Sequence, residues 1–159
     1  MRRVALLVAA GVLGVSAAAY AAPPLPNIHG VDPVSGKQVS LADYTGRPVV
    51  INVWGAWCSE CQQETPALKR FQASHPGVAL IGIDVHDSKA DARQFYARND
   101  QEWPSIYDPK GLLASSIGAP SAPTTLFLDR RHRVVAVIYG AGTLARFNAA
   151  YARAARRAA

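Results

Sequence analysis

The run Val49-Val50-Ile51-Asn52-Val53-Trp54 leads, after four residues, into a segment of helical periodicity, and this junction constrains the fold more than any other feature of the chain. The run is short, β-branched and mostly apolar, which reads as a buried strand. The segment from Ser59 to Ser74 places Ala67, Leu68 and Phe71 at helical spacing, so a helix is expected there, kinked at Pro66. The junction also holds Cys58 and Cys61, the only two cysteines in the chain.

The pattern continues in the same style. Residues 78–85 read as a second buried strand, and 89–99 as a second helix with Ala92, Phe95 and Tyr96 on one face. A short helix is expected over 112–117, after the turn Asp108-Pro109-Lys110-Gly111. Two further strands, 124–128 and 134–139, flank the charged turn Asp129-Arg130-Arg131-His132, and the alanine-rich stretch 143–157 reads as a last helix. Ahead of all these, Asp32-Pro33-Val34-Ser35-Gly36-Lys37 carries turn residues between short runs that suit a hairpin. Alternation makes the early strands parallel with crossover helices, and the short turn makes the last two an antiparallel pair. The expectation is a three-layer α/β sandwich. Trp103, followed by Pro104, is expected to pack in the core near a strand at 105–107.

With 159 residues, half of them hydrophobic, the chain can bury a core without relying on disulfides. Arg2 and Arg3 precede an apolar stretch from Val4 to Ala19, and Ala19-Tyr20-Ala21 forms a small-x-small pattern before Ala22. Residues 1–21 therefore read as a signal peptide. The rival reading is an uncleaved membrane anchor, because Val4 to Ala22 reaches the low end of the roughly 17 to 25 residues that span a bilayer. Either way the remainder is expected to face an oxidising compartment, periplasmic, secreted or anchored facing outward. Residues 22–27, with Pro23, Pro24 and Pro26, read as an extended linker to a domain over 28–159. The formal charge of +6 includes Arg2 and Arg3; without them 15 basic residues face 11 acidic ones. The late arginines lack interleaved aromatics, so a solvated basic face is expected, with no nucleic-acid partner. The chain is expected to act as a monomer.

On a helix, residues at i and i+3 are neighbours, with Cβ atoms roughly 5 to 6 Å apart, so the two cysteines can close and reopen a small disulfide. At the helix start, unpaired N–H groups and the helix dipole favour an anion, which makes the Cys58 thiolate the expected nucleophile. Cys61, one turn in, suits the resolving role. Three plainer readings compete. A zinc site needs about four ligands, and His29, His75, His86 and His132 form no second ligand pair. A static disulfide with so short a loop restrains the unfolded chain only weakly. Copper delivery also uses exported thiol pairs. Reversible redox chemistry is favoured over all three, and it needs no organic cofactor and no metal.

The run Trp54-Gly55-Ala56-Trp57-Cys58-Ser59-Glu60-Cys61, with Glu64 and Pro66 beyond it and Ala122-Pro123-Thr124-Thr125 later, resembles the TlpA/ResA-type branch of the thioredoxin superfamily. That branch includes the cytochrome c maturation thioredoxins. The resemblance covers roughly Pro26 to Arg157 and implies a thioredoxin-like α/β/α sandwich with a mixed central sheet and an N-terminal hairpin. It also implies a cis Pro123 facing the cysteines, with the Ala122 backbone pairing with an extended partner segment. The plainer, less favoured reading is an ordinary proline at the start of an edge strand. The resemblance further implies disulfide reduction in exported proteins, such as apocytochrome c or metal-site precursors, with a membrane thiol reductase as electron donor. A disulfide-forming oxidase is the nearest alternative.

Glu64 lies three residues past Cys61 and so on nearly the same helix face. It is a candidate general base for the Cys61 thiol, against the alternative of a surface glutamate. Trp57 is expected to shield the disulfide and line the partner surface, whereas Trp54 suits either core or rim. Ser59 and Glu60, between the cysteines, are the expected redox-tuning positions. The Glu60 charge favours the helix dipole yet disfavours a thiolate at Cys58, which biases the pair toward a reducing poise. Many members of the branch have proline where Glu60 stands, so their poise is not carried over.

Overall fold

The computed structural model describes residues 23–156. The expected signal peptide or anchor, 1–21, lies outside the described residues, as does Arg157. Among the described residues no helix is long and apolar enough to cross a membrane.

The junction forms as expected. Strand β3 (Val49–Trp54) is buried along its whole length and leads into α1 (Ser59–Ser74). Around it a five-stranded sheet has the order β5-β4-β3-β6-β7, built from β4 (Ala79–Val85), β5 (Ser105–Asp108), β6 (Thr124–Leu128) and β7 (Val134–Tyr139). β4 runs parallel to β3 and β5 parallel to β4, whereas β6 is antiparallel to β3 and β7 to β6. The remaining helices are α2 (Lys89–Asn99), α3 (Leu112–Ser116) and α4 (Leu144–Arg156). β1 (His29–Val31) and β2 (Gln38–Ser40) make the N-terminal hairpin, followed by a 3-10 turn at Leu41–Tyr44. This is the thioredoxin-like α/β arrangement, with a mixed sheet and a separate hairpin.

Strand alternation sorts β3 between the two layers. Val49, Ile51 and Val53 face a core shared with Ile28, Val39, Leu41, Ala114 and Ile117, from the hairpin side and α3. Val50 faces the opposite core, made with Leu68 and Phe71 of α1 and Phe147 and Ala150 of α4. Trp54, on this second face, packs with Phe95 and Tyr96 of α2 and with both cysteines. Its indole N–H donates to Ser105 Oγ at 2.8 Å, so Trp54 is core and not rim. Trp103 is core as well.

α1 is a single element of 16 residues with Pro66 inside it, over the expected bounds, and Ala67, Leu68 and Phe71 beyond the proline pack in the second core. One expectation needs adjustment. The stretch expected as a linker is tied to the sheet from Pro24 onward. Pro24 bridges Arg133 in antiparallel fashion, Leu25 N–H donates to the His132 carbonyl at 2.9 Å, and the Asn27 side chain accepts from Ala42 N–H at 3.0 Å. Leu25 supplies the reason: its side chain packs against the hairpin-side core.

Candidate active site

Cys58 is the N-cap of α1. Its extended backbone and its Sγ, which accepts from Cys61 N–H at 3.1 Å, start the helix, and the Cys58 N–H donates to the Gly55 carbonyl at 3.0 Å. Cys58 and Cys61 are joined as a disulfide, with Cα atoms 5.3 Å apart. The helix start therefore presents its N–H groups to the sulfur of Cys58, which is the electrostatic setting expected for a thiolate.

A groove lined by Trp57, Cys58, Ser59, Glu60 and Ala122 brings five of the expected site residues together. Cys61 does not line it and is 2% exposed, against 5% for Cys58. Of the two cysteines, Cys58 alone lines the groove. Ala122–Pro123 is a cis peptide bond, Pro123 is buried, and Ala122 packs against the cluster that holds both cysteines. Trp57 is 57% exposed. Its indole folds back to donate to the Val85 carbonyl at 3.0 Å, and this path is open only because residue 55 is glycine: a Cβ there would collide with the indole.

Glu64 is not on the surface; it is 2% exposed. Alternation places Asn52 on the α1 face of β3, where its amide donates to Glu64 Oε1 at 2.8 Å and to Thr125 Oγ1 at 3.1 Å. The second carboxylate oxygen accepts from Gly142 N–H at 2.8 Å, in the loop before α4. Burial pushes the Glu64 carboxyl above its ordinary range, while the Gly142 and Asn52 donors and the Arg146 cation oppose that shift. Asn52 and Gly142 were not among the expected site residues. The signal for Asn52 was a lone amide inside a β-branched strand; for Gly142 the sequence offers none, because its role is a backbone N–H.

A second buried acid is unforeseen. Asp84, at the end of β4, lies opposite Trp54 in the sheet register and is 0% exposed. Neither of its carboxylate oxygens has a hydrogen-bond donor. Burial, reinforced by the neighbouring acids Asp87, Asp108 and Asp32, pushes its carboxyl up to about 8. Asp87 in turn reaches residues 55–58 between β3 and α1, the redox loop: its Oδ2 accepts from Ala56 N–H at 2.6 Å.

The model of the AhpC/TSA family matches residues 21–137. The chain belongs to this family. Within it, the cysteine spacing and the relatives fit the TlpA/ResA-like branch of the thioredoxin superfamily. The thiol-disulfide oxidoreductase ResA of Bacillus thuringiensis subsp. konkukian is 28% identical over 115 residues, 71% of this chain and 66% of that protein. The thiol:disulfide interchange protein DsbE of Pseudomonas aeruginosa is 35% identical over 121 residues, 72% of this chain and 63% of that protein. The chain thus spans about two thirds of the length of the curated relatives it matches. Among solved structures, a DsbF homologue from Corynebacterium diphtheriae superposes with a TM-score of 0.75 at 36% identity, covering 80% of this chain and 83% of that one. A secreted thiol-disulfide isomerase from Corynebacterium glutamicum gives 0.73 at 34% identity, over 80% and 82%.

Proposed function

We propose that the chain is a thiol:disulfide oxidoreductase that works outside the cytoplasm and reduces disulfides in exported proteins. The observation that carries this reading is the unequal placement of one cysteine pair: Cys58 lines an open groove beside Trp57 and Ala122, while Cys61 sits behind it. In the reductive direction, the Cys58 thiolate attacks a partner disulfide, forming a mixed disulfide and releasing one partner thiolate. Cys61 then loses its proton and attacks Cys58 Sγ. The Cys58–Cys61 disulfide forms, the second partner sulfur leaves as a thiolate, and two electrons have passed to the partner. Glu64 is the group proposed to receive the Cys61 proton, in keeping with its burial one helical turn away and its raised carboxyl.

Ala122 and Trp57 flank the groove as walls for an extended cysteine-bearing segment, recognised mainly through its backbone. Apocytochrome c and metal-site precursors are the proposed substrates, and a membrane thiol reductase is the proposed source of electrons. Relatives described as ResA, DsbE and a secreted isomerase support both the chemistry and the location. Ser59 and Glu60 set the poise. The test is an equilibrium titration of the pair against a thiol buffer. A reductant gives a potential near the thioredoxin value of about −270 mV, whereas a potential near about −120 mV assigns the pair to disulfide formation. The absence of any turnover with insulin or a cysteine-bearing peptide removes the oxidoreductase reading altogether.

A further inference from the structure

Four carboxylates gather below the redox loop, and three of them are supplied with donors. Asp32 accepts from the backbone N–H groups of Val34, Ser35 and Ser105. Asp108 accepts from those of Leu112 and Ala114, and Asp87 from those of Ala56 and Ser88. Asp84 has no donor for either oxygen, although it is fully buried, and among the neighbouring acids Asp87, three residues on, acts on it most strongly. Two ionised carboxylates side by side would repel each other, and a hydrogen bond between them needs a proton on one. The donor count decides which: the acid without donors takes the proton, and the acid already accepting two N–H groups serves as its acceptor.

Among the described residues, none of the leading influences on Asp84 is a cation. The charged groups that face Asp84 are the acids Asp87 on its own connection, Asp108 of β5 and Asp32 of the hairpin turn; Tyr96 of α2 is the other titratable neighbour. His86, between Asp84 and Asp87, has a left-handed backbone (φ 54°) and lays its ring over Gly111. Trp54 stands beside Asp84 on β3, and its N–H is taken by Ser105.

We infer that Asp84 is a positioning residue of the redox site: its protonated carboxyl donates to Asp87, and Asp87 grips the Ala56 N–H, so a single proton braces the loop that delivers Trp57 and Cys58. The same loop is fastened a second time by Trp57 N–H to the Val85 carbonyl, one residue beyond Asp84. Loss of the proton sets two buried carboxylates against each other and pushes Asp87 away from Ala56. The redox site then loosens from the β4 side in alkaline solution, while the Glu64 side is unaffected.

The test follows the oxidised full chain by NMR from about pH 5 to about pH 10, where the disulfide-bonded cysteines do not titrate. The Asp84 carboxyl carbon is expected to titrate at about 8, and the Ala56 amide proton to move upfield with the same midpoint. Asp84→Asn, whose amide donates to Asp87 at every pH, removes the Ala56 transition. Asp87→Asn gives Asp84 an amide donor and removes the like charge, so the Asp84 midpoint moves down. In insulin reduction, the turnover of Asp84→Asn relative to wild type rises by about threefold or more across the transition. An Asp84 carbon that titrates in the ordinary carboxylate range overturns the inference, as does an Ala56 transition that survives Asp84→Asn, or an Asp84 midpoint unmoved by Asp87→Asn. The activity arm alone rests on the proposed oxidoreductase function; a chain without turnover fails that reading and leaves the NMR result to judge the brace.

Discussion

Glu64 and Asp84 are both buried carboxyls beside the redox loop, both on the α1 face of the sheet, and they differ in what surrounds them. Glu64 receives N–H groups from Asn52 and Gly142 and feels the Arg146 cation, whereas Asp84 receives none and is faced by acids. Burial raises both carboxyls. Donors decide how far. A carboxyl that is raised yet hydrogen-bonded can cycle between acid and base, which suits the resolving step. A carboxyl without donors holds its proton, which suits a brace.

The sharpest way to break this contrast is to remove Glu64. Glu64→Leu leaves the Asn52 amide and the Gly142 N–H without their acceptor and is expected to cost about 2 to 4 kcal/mol in denaturant unfolding. Glu64→Gln keeps the shape, but its amide offers a donor to a site that already holds donors. It should slow resolution of the mixed disulfide by about 100-fold in rapid-mixing kinetics while leaving the first attack on a small disulfide nearly intact. A normal resolution rate in Glu64→Gln removes the base role and leaves Glu64 as a structural bridge.

Asp84→Asn should act in the opposite direction and stabilise the protein by about 1 to 3 kcal/mol at neutral pH. In the folded chain Asp84 keeps its proton up to about 8, whereas the unfolded chain releases it near 3.8. The folded state therefore binds one more proton between those values, and this group's contribution to stability falls as pH rises through that window. Glu64, also raised, adds a slope of the same sign. Unfolding measured between about pH 5 and about pH 8 should lose stability in the wild type and lose less in Asp84→Asn. Equal slopes would mean that Asp84 binds no extra proton in the folded chain.

Gly55→Ala tests the β4 flank without touching a charge. The added Cβ displaces the Trp57 indole from Val85, at a cost of about 1 to 3 kcal/mol. It should raise KM for a protein disulfide several-fold more than for a small one, because Trp57 walls the groove. The smallest effect is expected from Glu60→Gln, on the exposed side of the helix start. Removing that charge should raise the reduction potential by on the order of 10 mV, given the modest size of exposed charge interactions. An unchanged potential would assign the poise to other groups.

The element order was legible because each segment carries its own signal: β-branched runs for the strands, spaced apolar residues for α1 and α2, and a charged turn between β6 and β7. The cysteine pair was legible from its spacing, whereas the cis Ala122–Pro123 bond was reachable only through the family resemblance, because a cis bond leaves no mark in composition or periodicity. What remained hidden depends on contacts far apart in sequence. Glu64 was open to a surface reading because its partners lie 12 and 78 residues away, one of them a backbone N–H. Asp84 looked like an ordinary polar position, since nothing local in Ile83-Asp84-Val85 says that both faces and both neighbours deny it a donor. The docking of Pro24 and Leu25 on Arg133 and His132 was masked by proline-rich composition, which describes local stiffness and not what the segment lies against.

The central claim is that the two cysteines have unequal jobs in thiol exchange, and trapping tests it most directly. Cys61→Ser should accumulate a mixed disulfide with a cysteine-bearing partner, located on Cys58 by mass spectrometry and released by dithiothreitol, while Cys58→Ser traps none. Partners trapped on Cys61 in Cys58→Ser, or none trapped by either variant under conditions where the wild type stays oxidised, would contradict the account.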